Sequence, residues 1–277
     1  MQLDRTRIAI RERDFADVLD LSLHVIRAYA GPLAIALAVG IVPMFVLNCY
    51  LLTDVADPTF LDIEGAGWFM FLSLLLVMWE VPIATAPATL FLGRALFENQ
   101  TSPGKIAADF FKSLPQLVLY QVLFRALLVA PVLPWPWLFT QRAYLNEVIL
   151  LERNPMFRRR KHGPSTESRC QALHWGWGGD LFARWLAVAG LGAIMVGLGW
   201  GVLGVASGAL MTQWDWDVVW GVHFYHAALW CVVGFFSVVR FLSYLDLRIR
   251  REGWEVELVM RAEGARLGRT IESGAVE

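Results

Sequence analysis

Four ionisable side chains fall within largely apolar stretches of the sequence: Glu80, Arg125, Arg142 and Glu147. An unpaired charge at the centre of a membrane helix costs about 2.5–3.5 kcal/mol on insertion scales, so such groups usually face inward and pair. Two acids and two bases make a neutral set, and we expect Arg125 to pair with Glu80 or Glu147. This network is predicted either to fix helix packing or to form a polar site for an ion, a headgroup or a small anion. A third interpretation places the four residues at different depths.

Two histidines on the last apolar run have a spacing that can hold a metal ion. His223 and His226 are three residues apart and would share one face of a helix. No third ligand lies close in the sequence, so we expect both to hydrogen-bond to loops at the interface instead. The cysteines, likewise, follow no metal-ligand spacing and are expected to be unpaired; they are Cys49, Cys170 and Cys231.

The motifs that usually announce an enzyme are missing from the sequence. It contains no nucleophile elbow, no phosphate-binding loop and no zinc-hydrolase motif. We therefore predict no catalytic, cofactor-binding or metal-binding residues, and we favour a protein that is not an enzyme.

The elements that must position these side chains are membrane helices. The 277 residues are 57% hydrophobic and 18% charged, whereas soluble domains average about 45–50% apolar and about 25% charged. The chain contains 13 Trp, a residue that favours the membrane–water interface. No basic face stands apart from the membrane flanks, which argues against a nucleic-acid partner.

The apolar runs predict an all-α membrane protein, a single-domain bundle of about six transmembrane helices, since about 20 residues cross a bilayer core. A cytoplasmic arm over 1–28 carries an amphipathic helix that lies either on the membrane surface or against another cytoplasmic segment of the chain. Ser102 and Pro103 predict the start of a short helix over 104–113. A cytoplasmic tail over 240–277 begins as a helix. The predicted membrane segments are 29–52, 68–92, 114–133, 137–152, 181–210 and 218–239.

The distribution of basic residues predicts the topology, because short cytoplasmic loops are rich in Lys and Arg. The N-terminal arm, the loops around Lys105 and Arg158 and the tail are basic, whereas 53–67 and 211–217 contain neither residue type. Both termini are therefore predicted to be cytoplasmic, and the apolar stretch over 114–152 is predicted to form a hairpin. In the alternative, the second half of that hairpin is a re-entrant or interfacial segment.

A series of glycines marks the predicted span over 181–210. Gly197-x-x-x-Gly201 and Gly204-x-x-x-Gly208 have the small-residue spacing that lets two helices approach closely. We expect these glycines to pack within the bundle, with a homodimer face as the alternative.

The segment after the last span carries charges at helical spacing. Asp246 and Arg250 are four residues apart, as are Arg248 and Glu252, so both pairs can form on a helix that leaves the membrane. Gly253 can cap that helix. Basic residues here attract anionic lipid, roughly 1 kcal/mol each near the surface. Structural anchoring is the first interpretation and docking of a partner is the second.

Three blocks of sequence, read in order, carry a family resemblance. They are Arg13-Asp14-Phe15-Ala16-Asp17-Val18-Leu19-Asp20, Leu150-Leu151-Glu152-Arg153 and Tyr244-Leu245-Asp246-Leu247-Arg248-Ile249-Arg250-Arg251-Glu252-Gly253. This layout resembles the integral membrane domain of some bacterial glycerophosphoryl diester phosphodiesterases, which also occurs as stand-alone membrane proteins. The resemblance implies six or more helices and no established catalytic residues. The soluble barrel with its metal-binding acids is missing here, so phosphodiesterase activity is not implied.

Together these features predict a multi-pass protein of a bacterial inner membrane, with a non-catalytic role as a scaffold or partner-binding subunit. Its expected partners are the lipid bilayer, anionic lipid at the cytoplasmic face, and another membrane or cytoplasmic protein. The alternative is a transporter or lipid-handling protein that uses the four intramembrane charges, and an enzyme is the third choice.

Overall fold

The computed structural model describes residues 13–55, 63–97, 102–123, 142–155, 165–211 and 218–252. Within these ranges the chain is helical and contains no strand. Four helices are long and apolar enough to cross a membrane, and they cover Ala30–Leu51, Gly65–Leu96, Gly178–Leu210 and Gly221–Arg251. The predicted all-α membrane class is therefore confirmed at the level of these four helices.

The described chain divides into nine α-helical elements, two of which continue as π-helix. They are α1 (Phe15–Ala28), α2 (Ala30–Leu51), α3 (Ile63–Ala84), α4 (Ala86–Phe97), α5 (Pro103–Leu117, continued as π-helix over Val118–Leu123), α6 (Leu145–Glu147, continued over Val148–Glu152), α7 (Thr166–His174), α8 (Gly178–Met211) and α9 (Val218–Glu252). The core lies where α9 packs against α1, α2, α3 and α4.

Helix α1 is amphipathic and packs against the chain itself. Its buried residues are Val18, Ser22 and Val25, at steps of three and four residues. Val18 and Val25 share a core cluster with Val239 and Phe241 of α9. The sequence leaves two locations open for α1, the membrane surface or another segment of the chain. The structure shows α1 packed on another segment of the chain, helix α9.

Helices α3 and α4 form one apolar helix that is interrupted at Thr85. Pro82 and Pro87 lie on either side of the interruption, and neither can donate a backbone hydrogen bond. Helix α2 crosses at this place, where a Cβ on Gly40 would overlap the backbone carbonyl of Ala84. The direct approach of the two backbones therefore requires glycine at this crossing.

Helix α5 begins where the sequence predicts it. Ser102 is extended at the N-cap position and Pro103 is the first helical residue. The helix then continues through the predicted boundary at Ser113 and, as π-helix, to Leu123. The short predicted helix and the start of the third predicted span therefore belong to one helix, and 124–141 lies outside the described residues.

The predicted segment 137–152 is described from Arg142 onward. Residues 142–144 form a turn, and the helix that follows has 3 α-helical and 5 π-helical residues. It ends at Arg153, which has a left-handed φ of 52°. At about 1.5 Å per residue this helix is roughly 12 Å long, well short of a bilayer core about 30 Å thick. The six-span count and the re-entrant alternative both stay predictions.

Helix α8 packs chiefly on α9. Two glycines of α8 face α9 directly: a Cβ on Gly192 would lie 3.4 Å from the Phe236 ring, and one on Gly199 would lie 3.4 Å from Cβ of Ala228. Gly192 and Gly199 are seven residues apart, which is two helical turns, so both lie on the same face.

The first glycine motif does not contact the rest of the described chain, since a Cβ on Gly197 or Gly201 would meet nothing within 4 Å. The physical reason is helical phase, because two residues along a helix rotate a side chain by about 200° and carry it away from the face of Gly199. A role of this pair in close helix packing, including the homodimer alternative, stays a prediction. Gly204 and Gly208 are buried.

Candidate functional site

A polar cluster lies between α2, α3 and α9, inside the apolar part of the bundle. The Asn48 amide nitrogen donates to Oε2 of Glu80 at 2.9 Å and lies 3.4 Å from Nε2 of His226. Trp230 donates its indole N–H to the same Nε2 at 3.1 Å. Asn48 and His226 are fully buried, and Glu80 is 8% exposed.

The donors and acceptors of this cluster fix its protonation at His226. An indole N–H can only donate, so Nε2 of His226 must accept and the imidazole is neutral with its hydrogen on Nδ1. The Asn48 side-chain atom near Oε2 of Glu80 and Nε2 of His226 faces two acceptors. It must therefore be the amide nitrogen and not the amide oxygen. Oδ1 of Asn48 and Nδ1 of His226 are buried and have no hydrogen-bond partner among the described residues.

Apolar side chains close this cluster on both sides. The Phe45 ring stacks on His226 with 4.7 Å between ring centroids. One turn beyond Asn48 on α2 and one turn before His226 on α9, Leu52 and Val222 pack with Phe69 in a buried apolar cluster. Packed apolar side chains therefore lie between the polar cluster and the C-terminal end of α2 and the N-terminal end of α9.

A second buried glutamate, Glu147 on α6, has an ionic partner. Nη2 of Arg240 donates to Oε2 of Glu147 at 3.1 Å, and Nε lies 2.8 Å from Oε1 as an ion pair without hydrogen-bond alignment. Glu147 is 1% exposed. This pair ties α6 to the middle of α9.

Glu152, at the end of the π-helical continuation of α6, accepts contacts from two other helices, α7 and α9. Arg169 of α7 donates from Nε to Oε2 at 2.6 Å and from Nη2 to Oε1 at 3.0 Å, a two-point contact. The Tyr244 hydroxyl of α9 donates to Oε1 at 2.8 Å, and Nε of Arg248 is 3.8 Å from Oε1. Burial alone would raise the pKa of Glu152, but these donors outweigh it and hold the pKa below its ordinary value.

Asp246 on α9 joins the first helix to the last two. Its Oδ1 accepts the backbone N–H of Arg13 at 2.9 Å, and its Oδ2 pairs with Arg184 at 3.2 Å and Arg250 at 3.1 Å. Arg250 also donates to the Arg13 carbonyl. The predicted pairing of Asp246 with Arg250 is therefore present, and it belongs to a larger cluster.

The second predicted pair of the tail, Arg248 with Glu252, stays a prediction. Among the described contacts, Nε of Arg248 lies 3.8 Å from Oε1 of Glu152. The side chain of Glu252 and the predicted cap at Gly253 lie outside the described residues.

Asp109 on α5 forms a further ionic cluster with Arg94 of α4 and with Arg153, which follows α6. Burial by itself would raise the pKa of Asp109, but the two guanidinium groups outweigh it and the pKa is lowered. The cluster joins three elements that are far apart in sequence, so its evident effect is to hold them together.

A cysteine and a histidine on α7 are close enough to suggest a nucleophile and its base, but their hydrogen bonds exclude that role. Nδ1 of His174 lies 3.5 Å from Sγ of Cys170 but donates its proton to the Cys170 carbonyl at 2.6 Å. Nε2 accepts the backbone N–H of Tyr144 at 3.3 Å, so the ring has no free acceptor for the thiol proton. Burial raises the pKa of the Cys170 thiol to about 12.

The structure does not bring together the described members of the predicted four-residue network. Glu80 bonds to Asn48, Glu147 pairs with Arg240, and Arg142 pairs with Glu167 at 2.8 Å in a partly exposed contact. The physical reason is that α6 packs chiefly on α4, α5 and α7 rather than on α3, so its charges meet different partners. Arg125 lies outside the described residues, and its pairing with Glu80 stays a prediction.

One of the two histidines differs from the expectation, because His226 bonds within the bundle rather than to a loop. His223 lies against the Phe69 ring with 5.7 Å between centroids, and its expected hydrogen bond to a loop stays a prediction. The described ranges contain no group of three or more His, Cys, Asp or Glu side chains that could hold a metal ion.

Sequence reasoning missed several residues that build these clusters. Asn48 is the only polar amide in α2, and that isolation in an apolar run was an available signal. His226 and Trp230 are four residues apart, which places them on one helix face. In the sequence, Arg240 counts only among the basic residues of the tail that predict the topology. In the structure it pairs with Glu147, which is 93 residues away.

Comparison with known proteins adds no family assignment, because no protein-family model, no curated protein and no solved structure matches the chain. The resemblance to phosphodiesterase membrane domains therefore stays a prediction.

Proposed function

We propose that the protein is a non-catalytic membrane component, a scaffold or partner-binding subunit. The observation that carries this proposal is the set of buried carboxylates Glu147, Glu152 and Asp246, each bound by arginine from another element. Cross-links of this kind hold helices in fixed positions, and removing one partner of a buried pair is strongly destabilising. A rigid, charge-lined end of a helix bundle suits the holding of a partner.

The proposed topology has six spans, with both termini on the cytoplasmic side of a bacterial inner membrane. The arginine clusters support it, because they lie at the end where α1 begins and α9 leaves the bundle, and basic residues concentrate on the cytoplasmic side. A cysteine in place of Arg158 tests the arrangement in intact cells. We expect no labelling by an impermeant thiol reagent from outside, and labelling would contradict both the hairpin and the six-span count.

The proposed partners at this end are anionic lipid and a membrane or cytoplasmic protein. Arg153 supports this proposal, because its side chain remains 54% exposed while it pairs with Asp109. Helix α5 adds an exposed apolar side chain, because Phe111, two residues after Asp109, is 67% exposed. An exposed aromatic ring beside basic side chains is the type of surface that a protein partner or an interfacial lipid layer covers.

Site-specific photocross-linking tests the partner-binding role. A photoreactive phenylalanine at Phe111 is compared with the same group at Ile194, which is 61% exposed on α8 and is predicted to face lipid. We expect a discrete protein adduct at Phe111 and only lipid adducts at Ile194. Mass spectrometry of the adduct identifies the partner, and its reciprocal co-purification must weaken when Lys105 and Arg153 become glutamate. Only lipid adducts at both positions would count against a protein-binding scaffold.

The polar cluster around Glu80 favours a second candidate, a transporter or lipid-handling protein. A membrane protein that moves a polar solute needs polar groups inside the apolar region, and the cluster supplies a carboxylate, an amide and an imidazole. In a variant without Cys49, Cys170 and Cys231, a new cysteine at Ser73, which is fully buried on α3, reports access. Labelling from both aqueous sides would support transport, and protection from both sides would oppose it.

A further inference from the structure

Glu80 is a buried acid that is held by neutral groups. Oε2 accepts a hydrogen from the Asn48 amide, and in the described chain Oε1 has no hydrogen-bond or ionic partner. The Asn48 amide is itself shared with the neutral His226 ring. The cluster therefore gives the carboxyl group a fixed position without giving it a positive charge.

His226 cannot become protonated and supply a positive charge without losing the contacts that its Nε2 accepts. A protonated ring would carry a hydrogen on Nε2, where it would face the indole N–H of Trp230 and the amide of Asn48, both donors. The stacked Phe45 ring and the full burial of His226 leave the ring no space to reorient without disturbing its packing. The imidazole is thus a fixed acceptor in this arrangement.

The other titratable or charged groups on elements packed against α3 do not contact Glu80 in the described chain. Arg94 is bound to Asp109 and Arg240 to Glu147, so these two cations are committed elsewhere. The remaining groups on these elements are Cys49 and Tyr50 on α2, Lys105 and Lys112 on α5, Tyr120 in the π-helical continuation of α5, His223, Tyr225, Cys231, Tyr244, Asp246, Arg248, Arg250 and Arg251 on α9, and Glu252 on α9, whose side chain lies outside the described residues.

An ionised carboxylate without a cation is expensive in an apolar environment, whereas the neutral acid is not. We propose that Glu80 is an intramembrane proton-binding site. The ionised Oε1 takes a proton from a hydronium ion, so that one O–H bond of hydronium breaks as the carboxyl O–H bond forms and a water molecule is left. Release of the proton to water is the reverse exchange, while Asn48 holds Oε2 and His226 orients Asn48. Two buried atoms of the cluster have no partner among the described residues, the acceptor Oδ1 of Asn48 and the donor Nδ1 of His226, and a water molecule can bond to either because it both donates and accepts hydrogen bonds.

This inference goes beyond a scaffold role and does not depend on it, because a proton site inside the membrane can set the conformation of a bundle that transports nothing. Its closest competitor is the predicted Glu80–Arg125 ion pair. In that pair the carboxylate is ionised at neutral pH, so the protonation state of Glu80 separates the two.

Infrared spectroscopy of the purified full-length protein in lipid nanodiscs measures that state. We expect a carbonyl band of a protonated carboxylic acid at neutral pH in the wild type, and its loss in Glu80→Gln. Glutamine keeps the shape of the side chain and an acceptor for Asn48. Spectra of the two proteins that coincide in this region would overturn the proposal.

Chemical labelling of the wild-type protein tests the protonation state of Glu80 without the use of a variant. The apolar reagent dicyclohexylcarbodiimide modifies protonated carboxyl groups, and peptide mass spectrometry locates the adduct. We expect an adduct on Glu80 that falls by about tenfold per pH unit above its midpoint, and none on Glu147, which is also buried but is paired with Arg240. An unmodified Glu80 at every pH, in protein whose infrared spectrum also lacks the acid band, would establish the ionised pair instead.

Discussion

Glu80 and Glu147 are both nearly inaccessible glutamates in the same helical protein, but their surroundings differ. Glu147 faces the guanidinium of Arg240, with its two oxygens 2.8 Å and 3.1 Å from two different nitrogens. Glu80 faces an amide and, beyond it, a neutral imidazole. The Glu147 carboxylate is neutralised by the charge of Arg240, whereas the Glu80 carboxyl group has only a neutral hydrogen-bond donor, the Asn48 amide.

The difference shows two ways to place an acid inside a helix bundle. A cation fixes the charge and makes the acid a cross-link, which suits the end of the bundle where α1, α6, α7 and α9 meet. A neutral amide fixes only the position, so the charge of the acid can change. Burial alone therefore does not reveal which role a glutamate has, and the partner atoms do.

The largest effect is expected when the cross-link loses one partner. Glu147→Gln leaves Arg240 as an uncompensated, largely buried cation and should lower the free energy of unfolding by about 3–5 kcal/mol. Denaturant unfolding in detergent measures it. The double variant Glu147→Leu, Arg240→Leu removes both charges and should recover much of the loss. A single variant as stable as the wild type would remove the distinction between the two glutamates.

A smaller loss is expected at Asp246. Asp246→Asn keeps an acceptor for the Arg13 N–H but removes the charge that faces Arg184 and Arg250, at about 2 kcal/mol. Helix α1 should loosen, and a cysteine at Ser22, fully buried in the wild type, should become reactive.

Asp180→Asn is the matched control for this experiment. Asp180 pairs with the same Arg184 but is 43% exposed, so its loss should cost less than about 0.5 kcal/mol. Equal effects of the two substitutions would show that burial at Asp246 adds nothing to the contact.

Acid should weaken the ionic clusters by an amount that depends on Asp109 and Glu152. Their pKa values are lower in the folded protein than in the unfolded chain, so they stabilise the fold above the ordinary values of about 4. That stability is lost as the pH falls below about 4 and through the folded pKa values. Melting temperature against pH measures it, and the slope should flatten in Asp109→Asn and in Glu152→Gln. A slope that neither substitution changes would contradict the assignment.

Among the buried acids, the smallest effect is expected at Glu80. At neutral pH, Glu80→Gln should change the free energy of unfolding by less than about 1 kcal/mol, because the amide has nearly the size and hydrogen-bonding capacity of the neutral acid. The same unfolding assay used for Glu147→Gln measures it. A loss comparable to that of Glu147→Gln would indicate that Glu80 also neutralises a buried cation.

The sequence predicted the features that depend on local pattern. Long apolar runs indicated membrane helices, Ser102 and Pro103 marked the start of α5, and the four-residue spacing of Asp246 and Arg250 indicated their contact. Each of these depends on residues that are close along the chain, where helical geometry alone places the side chains.

The features that the sequence did not predict depend on which helices become neighbours. The partner of Glu147 is 93 residues away, and no local spacing identifies it among the many arginines. The sequence also did not identify the glycines of α8 that face α9, since several glycine pairs have suitable spacing and only the packed structure selects Gly192 and Gly199. Asn48 was overlooked because its importance lies in Glu80, on another helix.

The contact between Arg13 and Asp246 joins positions that are 233 residues apart, so it constrains the order of events during synthesis. Helix α1, with Arg13 just before it, leaves the ribosome long before the Asp246 carboxylate that accepts the Arg13 N–H is made. Until then its apolar face must rest on lipid or on a chaperone. A chain released before residue 246 would therefore retain its early helices and lack the contact that closes the first helix onto the last.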